Sequence, residues 1–306
     1  RRAAPVDIGS RRPADGLDDV LWGYESAELA SCGFVYRVRT TNPAVGTYVR
    51  RLLAGSASVG AVAPRWLSLH DRVRREPRFA GYLDNDLLVA THDPSIALSA
   101  ILSTIDRGTV ASIVDQRLVL HAAAASEASG AVLLLGRSGA GKTTLVAALV
   151  SAGLGYVADE VVSFGYMETT PAPYHKALSL KRASRWLFPE LRSTLVQHGD
   201  DNPGQVWHVP AEALRANANR SGAPIAAIVE ARYHATADTT LAPLSEPDAL
   251  TRILANCFSG DHLSAEAFAS ASTLAASAPA YRLDFSDVWA ACDLVRGALS
   301  PTIRAR

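Results

Sequence analysis

Lysine is nearly absent from this sequence, so each lysine carries unusual weight. Among 30 basic residues, only Lys142, Lys176 and Lys181 are lysine, and the rest are arginine. A lysine ammonium is a compact, rotatable cation, and arginine does not replace it where such a group must reach a phosphate. We therefore expect these lysines to include at least one that is retained for chemistry.

The sequence also has few cysteines and no formal net charge, and no long apolar run is expected in it. Cys32, Cys257 and Cys292 are far apart, which argues against a disulfide framework or a zinc knuckle and fits a reducing cytosol. The formal net charge is +0, so we expect no nucleic-acid partner and no anionic-membrane surface. No apolar run of transmembrane length and no basic-then-apolar leader is expected, which together predict a cytoplasmic protein.

The chain does have enough apolar material for a large core. Of its 306 residues, 48% are hydrophobic and 20% are charged, which suits one large domain or two ordinary ones. Residues 1–19 predict a mobile lead-in. After this lead-in, alternation of apolar and polar residues predicts a strand at 33–41, and helical spacing predicts a helix at 43–55. A second helix is predicted with Asp93 and Pro94 at its start. Residues 1–112 therefore predict a small α+β domain without a chemical motif.

Residues 113–306 predict a second domain in which strands and helices alternate. Strand-like runs at Leu118–Ala124 and Ala131–Leu135 flank a hairpin connection, and a helix at 143–152 ends at Gly153. A strand at 156–164 and a mobile loop at 197–205 come next. The remaining predictions are strands at 223–233 and 280–285, and helices at 246–258 and 287–299.

A glycine-rich motif lies between the second of these strands and the helix. Residues 136–143 read GRSGAGKT and fit G-x-x-x-x-G-K-[ST]. Glycines let several backbone N–H groups point into one anion nest, and the helix N-terminus adds partial positive charge. The alternative is a glycine-rich turn without a ligand. The candidate nucleotide-binding residues are Gly136, Arg137, Ser138, Gly139, Ala140, Gly141, Lys142, Thr143 and Thr144.

An acidic pair follows the motif lysine after seventeen residues. Asp159 and Glu160 end the strand-like segment YVADE. Neighbours in a regular strand point to opposite faces, although both can turn inward at a strand end. One carboxylate can hold Mg²⁺ while the other takes a proton from a hydroxyl. A solvated acidic turn is the alternative, and which carboxylate is the base stays open.

A single histidine precedes the motif. His121 lies fifteen residues before Gly136 and is followed by four alanines. An isolated histidine in such a setting is usually a packed or capping residue. From the residues alone, it is only a candidate for catalysis.

The combined spacing of these motifs resembles the HPr kinase/phosphorylase catalytic domain. It is also similar to the HPr-kinase-related kinases of bacterial biosynthetic clusters, including those of lasso peptides. The resemblance covers about 115–306 and is best at 118–164. It implies an α/β P-loop kinase core of the HPr kinase and PEP-carboxykinase-like type, preceded by the small N-terminal α+β domain.

The resemblance also implies roles for residues. ATP and Mg²⁺ would be the cofactors, with the glycine-rich loop on the ATP phosphates, Lys142 on the β- and γ-phosphates, and Thr143 and Asp159 on the metal. Glu160 or Asp159 would be the base, with His121 beside them. Lys181, and with less support Lys176, would contact phosphate.

The phosphate acceptor is left open by the sequence. The family resemblance implies a serine or threonine hydroxyl of a peptide or protein, such as a natural-product precursor peptide. A small-molecule kinase acting on free serine or another hydroxylated metabolite is the second interpretation, and a non-catalytic nucleotide-dependent regulator is the third. A closed pocket favours the small molecule, and an open groove beside the first 110 residues favours the peptide. The oligomeric state is open, a homo-oligomer included.

Overall fold

The computed structural model describes residues 17–54, 63–181, 184, 186–193, 206–258 and 263–299. Most of the predicted lead-in and the whole predicted loop at 197–205 lie outside the described residues. Within them the architecture is mixed α/β, with strands and helices in two units. The N-terminal unit is residues 17–54 and 63–113, and the C-terminal unit is made of the described residues between 117 and 299.

The N-terminal unit is a six-stranded sheet with two helices. Its order is β1-β3-β4-β5-β6, with β2 paired to β3. Asn42 caps the first helix by accepting from two backbone N–H groups, and Asp93 caps the second. The strands are β1 Tyr24–Glu25, β2 Leu29–Ser31, β3 Phe34–Thr40, β4 Arg65–Asp71, β5 Phe79–Leu83 and β6 Asp86–Thr91, and the helices are α1 Pro43–Leu52 and α2 Pro94–Ile113.

Helix α2 corrects one sequence-based expectation. It is 20 residues long with a mean hydropathy of 1.3, so by length and composition alone it could cross a membrane. The expectation that no apolar run reaches that length is therefore wrong. The helix packs its apolar residues, Ile101 and Ile105 among them, into the core beneath Tyr36 and Leu67. A core helix satisfies the same length and hydropathy criterion, so α2 by itself is weak evidence for a membrane span.

The C-terminal unit is built on a mixed six-stranded sheet with the order β10-β8-β9-β14-β16-β15. Strands β9, β14 and β16 run parallel to one another, and the other neighbours pair antiparallel. The strands of this unit are β7 Arg117–Leu120, β8 Ala123–Glu127, β9 Gly130–Leu135, β10 Gly155–Asp159, β11 Val162–Gly165, β12 Leu178–Lys181, β13 Val206–Val209, β14 Ile225–Tyr233, β15 Thr240–Leu244 and β16 Ala280–Phe285.

Helices cover both faces of this sheet because its central strand is apolar on both sides. In β9, Val132 and Leu134 join the cluster under α3 and α6, while Leu133 and Leu135 join the cluster under α4 and α5. The Ser245 hydroxyl caps α4 by accepting from the Asp248 N–H. The helices are α3 Lys142–Ser151, α4 Glu246–Ala255, α5 Ala265–Ser277 and α6 Val288–Leu299.

Two predicted strands are each broken in two. The run 118–124 divides into β7 and β8, and the run 156–164 divides into β10 and β11. The halves pair with each other, β7 with β11 and β8 with β10, in two separate sheets. At the first break the backbone N–H of His121 donates to the Asn256 carbonyl instead of to the ladder. The two breaks lie opposite each other.

Buried polar contacts join the two units. The Tyr48 hydroxyl on α1 donates to the His208 carbonyl on β13. The His208 ring lies 2.9 Å from the Ser99 hydroxyl through Nε2 and 3.3 Å from the Ser179 hydroxyl through Nδ1. Burial lowers the pKa of His208 from 6.5 to about 3, with Lys176 adding to the effect. This histidine is therefore neutral and packed between the units.

His208 should make the fold sensitive to acid. Its pKa in the folded state lies below the ordinary 6.5, so the unfolded chain takes the proton first and stability falls as the pH drops from about 6.5 toward 3. Between pH 7 and pH 5 this site should cost about 2 kcal/mol. Urea unfolding of the wild type and of His208→Gln at both pH values measures it. Equal pH dependence in the two proteins would contradict the assignment.

Candidate functional site: a glycine-rich loop facing a carboxylate pair

The glycine-rich loop connects β9 to α3 with a backbone that only glycine adopts easily. Gly136, Gly139 and Gly141 have φ values of 142°, 84° and 91°. A Cβ on Gly136 would lie 2.7 Å from the Ala231 carbonyl oxygen, and a Cβ on Gly141 would lie 2.7 Å from the Phe285 ring. The loop is therefore held tightly against β14 and β16 on one side and open on the other.

Lys142 begins α3 and turns its ammonium back under the loop. Its Nζ donates to the Gly136 carbonyl at 2.7 Å and lies 3.4 Å from the Arg137 carbonyl. The His121 Nε2 is 3.0 Å from the same Nζ. Burial lowers the pKa of Lys142, and Glu160 and Asp159 oppose that shift. The cation is thus already directed into the nest that the loop forms.

Asp159 is the last residue of β10 and lies near Lys142. It is fully buried, and its Oδ1 accepts from the Thr143 hydroxyl at 3.3 Å. Its Oδ2 is buried without a hydrogen-bond partner among the described residues. Burial and then the neighbouring Glu160 raise the pKa of Asp159 to about 7, against Lys176, Thr143 and Lys142. A buried oxygen without a partner can coordinate a cation or accept a hydrogen bond from a ligand.

Glu160 takes the next position and faces the other way. Its φ of 68° lies in the left-handed region, which ends the strand and turns the carboxylate toward His121. The Oε2 is 3.3 Å from the His121 Nδ1. Since the Lys142 ammonium can only donate, His121 accepts at Nε2 and its Nδ1–H donates to Glu160. Burial first, then Lys142, lowers the pKa of His121, so the ring is neutral.

His121, Lys142, Thr143 and Glu160 line an open cavity of about 690 Å³, whereas Asp159 lies buried behind Thr143. Lys142 and Lys181 place positive charge at the loop. The apolar wall of the cavity is formed by Tyr233 and Trp289, which are 48% and 39% exposed. Tyr233 lies beside Gly141 of the loop. The lining residues are His121, Ser138, Gly139, Gly141, Lys142, Thr143, Thr144, Glu160, Ser179, Lys181, Ser184, Leu187, Tyr233, Phe285, Ser286, Asp287, Val288 and Trp289.

The apolar wall was missed by sequence reasoning. Tyr233 ends β14 and Phe285 ends β16, and both strands run parallel to β9, which leads into the glycine-rich loop. Carboxyl ends of parallel strands meet at one edge of a sheet. Knowing that β14 lies parallel to β9, and β16 parallel to β14, would have found these residues, but strand order is not readable from one sequence.

Most of the predicted loop residues are brought together. A Cβ on Gly139 would lie 3.9 Å from the Lys181 Nζ, so that lysine reaches the loop. Thr144 lines the cavity and lies 2.8 Å from the Ser184 hydroxyl. Lys176 does not line this cavity: it pairs with Asp106 on α2 at 2.7 Å. Arg137 projects outward, and Ala140 contributes its backbone carbonyl to Tyr233.

The oxygen donors fit a magnesium ion better than a softer metal. A threonine hydroxyl and a carboxylate are hard ligands that suit Mg²⁺ together with phosphate oxygens. The described residues contain no group of three or more His, Cys, Asp or Glu that could hold a metal by themselves. Any ion here would need ligands from a bound phosphate, and the orphaned Asp159 Oδ2 supplies one of the protein's own.

The comparisons with known proteins add little to this geometry. No family model matches the sequence, and no curated protein matches it. Among solved structures, the HPr(Ser) kinase/phosphatase from Coxiella burnetii is similar over 61% of this chain and 96% of its own, at 12% identity and a TM-score of 0.31. A TM-score this low carries no argument, so the function must be argued from the residues.

The loop geometry predicts different costs for two alanine substitutions. Gly139→Ala and Gly141→Ala each force a side chain into the left-handed region, at about 1–2 kcal/mol. Only Gly141→Ala adds a Cβ against the Phe285 ring, since the space at Gly139 is open to 3.9 Å. Urea unfolding should therefore show the larger loss for Gly141→Ala. A loss at Gly139 as large as that at Gly141 would contradict the packing described.

Proposed function

We propose that the chain is an ATP- and Mg²⁺-dependent kinase that transfers the γ-phosphoryl group to an alcohol hydroxyl, on an HPr-kinase-like core. The observation that carries the proposal is the placement of two carboxylates with divided tasks. Asp159 faces the Thr143 hydroxyl under the glycine-rich loop, while Glu160 faces His121 and the cavity. Phosphoryl transfer to a hydroxyl needs a cation site and a proton acceptor side by side.

The loop and the lysines would bind the triphosphate. Backbone N–H groups of residues 136–141 and the N-terminus of α3 attract anionic oxygens. Lys142 already points into that nest through its contact with the Gly136 carbonyl, and a phosphate oxygen would compete for the same ammonium. Lys181 approaches from the opposite side. The apolar wall of Tyr233 and Trp289 offers the base a flat surface on which to stack.

Thr143 and Asp159 would hold the magnesium ion, which neutralises charge on the phosphate oxygens when bound. The Thr143 hydroxyl now donates to Asp159, and it would have to rotate to present its oxygen lone pairs instead. Burial raises the pKa of Asp159 to about 7. A cation beside it favours the ionised form.

Glu160 would act on the acceptor. Its carboxylate takes the hydroxyl proton as the acceptor oxygen bonds to the γ-phosphorus, while the bond from that phosphorus to the bridging oxygen of the leaving nucleotide diphosphate breaks. The neutral His121 donates to Glu160 and accepts from Lys142. It thereby fixes the carboxylate and separates it from the lysine that would otherwise pair with it.

The proposed acceptor is a serine or threonine hydroxyl of a peptide or protein, for which a natural-product precursor peptide is the leading candidate. A small hydroxylated molecule is the second candidate, supported by the size of a cavity of about 240 Å³ between the two units. A cytoplasmic location and a homo-oligomer belong to the same proposal. A nucleotide-dependent regulator without turnover would bind ATP equally well and is separated by measuring transfer.

Lys142→Ala tests the phosphate site. Removing the only lysine ammonium that is buried under the loop should lower ATP turnover by at least about a hundred-fold, because a charge-stabilising donor is lost from the transition state. Turnover is measured with labelled ATP and Mg²⁺. Arg50→Ala removes an exposed cation of α1 outside the cavity and serves as the control. Turnover unaffected in Lys142→Ala would rule out this phosphate site.

Glu160→Gln tests the proposed base. The amide keeps the shape but takes no proton, so transfer to a hydroxyl acceptor should fall about 10²–10⁴-fold. Nucleotide affinity, measured by the fluorescence of a labelled ATP analogue, should change little because Glu160 has no phosphate contact in the proposal. Glu168→Gln alters an exposed glutamate just beyond β11 as the matched control. If Glu160→Gln transfers phosphate at the wild-type rate, Glu160 is not the base.

A further inference from the structure

A second cavity lies between the two units, beside the site already described. Its volume is about 240 Å³. The N-terminal unit supplies one wall from β2, β3 and α2, and the segment 173–179 supplies the other. The lining residues are Ala30, Ser31, Cys32, Tyr36, Leu53, Leu102, Ile105, Asp106, Pro173, Tyr174, His175, Lys176, Ala177 and Ser179.

A half-buried ion pair gives this cavity a polar wall. The Lys176 Nζ lies 2.7 Å from the Asp106 Oδ2, and the two side chains are 13% and 21% exposed. The Tyr174 hydroxyl donates to the other Asp106 oxygen at 2.7 Å. Burial alone would lower the pKa of Lys176, but Asp106 and the more distant Asp159 outweigh it and raise the pKa. Lys176 is therefore a permanent cation in the wall.

Lys176 has more hydrogen-bonding capacity than the described residues use. An ammonium carries three N–H donors, and among the described residues only Asp106 accepts from it. Buried donors in folded proteins are nearly always satisfied. The remaining N–H groups of this cation are available to an anionic or strongly accepting group in the cavity.

The two cavities share one residue. Ser179 on β12 lines both, between the ion pair and the side that holds Lys181 and Glu160. Its hydroxyl lies 3.3 Å from the neutral His208 ring, which keeps it in place. A ligand seated against Lys176 would thus share Ser179 with a ligand in the larger cavity.

We propose that the cavity between the units is an acceptor subsite that binds a small hydroxylated carboxylic acid, with its carboxylate on Lys176 and its hydroxyl directed past Ser179 toward Glu160. The proposal rests on the proposed kinase activity, and for the acceptor it takes the second candidate, the small hydroxylated molecule, in place of the peptide. About 240 Å³ is smaller than ordinary drug-sized sites, so the cavity suits a molecule of amino-acid size and excludes a folded protein domain.

The chemical step is that of the proposed kinase. The acid's hydroxyl oxygen bonds to the γ-phosphorus of ATP, its proton passes to the Glu160 carboxylate, and ADP leaves with the electrons of the broken P–O bond. The acid's carboxylate takes no part and only anchors the molecule. No oxidant, reductant or further reactant is required.

Cys32 gives a binding test that needs no turnover. Its thiol lines the cavity, and the thiolate is the form that alkylates. Burial raises its pKa, so the reaction is run with iodoacetamide at alkaline pH and followed by mass spectrometry. L-serine or glycerate near ten times its dissociation constant should slow alkylation of Cys32 about ten-fold, because only the free protein reacts. Cys257 lies outside the cavity and is the internal reference.

Matched ligands and variants decide the chemistry. Propionate and alanine, which lack the hydroxyl, should protect less, and ethanolamine, which lacks the carboxylate, should not protect. Lys176→Met should abolish protection, and Lys176→Arg should retain part of it. A short serine-containing peptide with blocked ends is the competing source of the hydroxyl. Protection by that peptide but by no small acid would overturn the proposal.

Calorimetry measures the same binding directly if Cys32 does not react with iodoacetamide. Leu102→Trp fills the cavity from α2, and Ile96→Trp places the same side chain on an exposed part of that helix as the control. Serine or glycerate should bind the wild type and Ile96→Trp and should lose most of its affinity for Leu102→Trp. Equal binding to all three, or no binding to the wild type, overturns the subsite. Because neither assay contains ATP, such a result leaves the kinase proposal to its own tests.

Discussion

The candidate site depends on two antiparallel strand pairs that are interrupted at the same level. The chain leaves one ladder after Leu120 and enters another at Ala123, and its partner does so between Asp159 and Val162. Residues in the gap are free of the ladder geometry that sends neighbouring side chains to opposite faces. Glu160 takes a left-handed backbone there, and His121 meets it from the facing strand. The double break thus lets Glu160 meet His121 while Asp159, at the end of its ladder, accepts from Thr143.

Burial then sets the electrostatics of the site. Asp159, Lys142 and Lys176 are all withdrawn from water, and each would prefer its neutral form in isolation. Glu160 and Asp159 favour the charged form of Lys142, and Asp106 and Asp159 favour that of Lys176. For Asp159, the two lysines favour the ionised form, whereas burial and Glu160 oppose it. Because Asp106 lies on α2, the N-terminal unit takes part in that balance. The two units are therefore joined by charge as well as by the packed His208.

The sequence was informative where chemistry requires a fixed local pattern. Strand, glycine-rich loop and helix were predictable around Lys142, since glycine placement and apolar periodicity are local properties. The breaks at His121 and Glu160 were not, because both segments read as continuous strands and the break is set by pairing with distant residues. The role of Asp106 was hidden for the same reason: its partner Lys176 is seventy residues away. Strand order, which brings Tyr233 beside the loop, is likewise a long-range property.

The scarcity of lysine has a practical consequence for labelling. Lys142 is 6% exposed and the Lys176 side chain is 13% exposed, whereas Lys181 at the end of β12 is open to solvent. Acylating dyes attack unprotonated amines that they can reach, so a limiting amount should mark Lys181 ahead of the other two side-chain amines. The molecule thus carries a single-fluorophore attachment point at the rim of the larger cavity without any engineered cysteine.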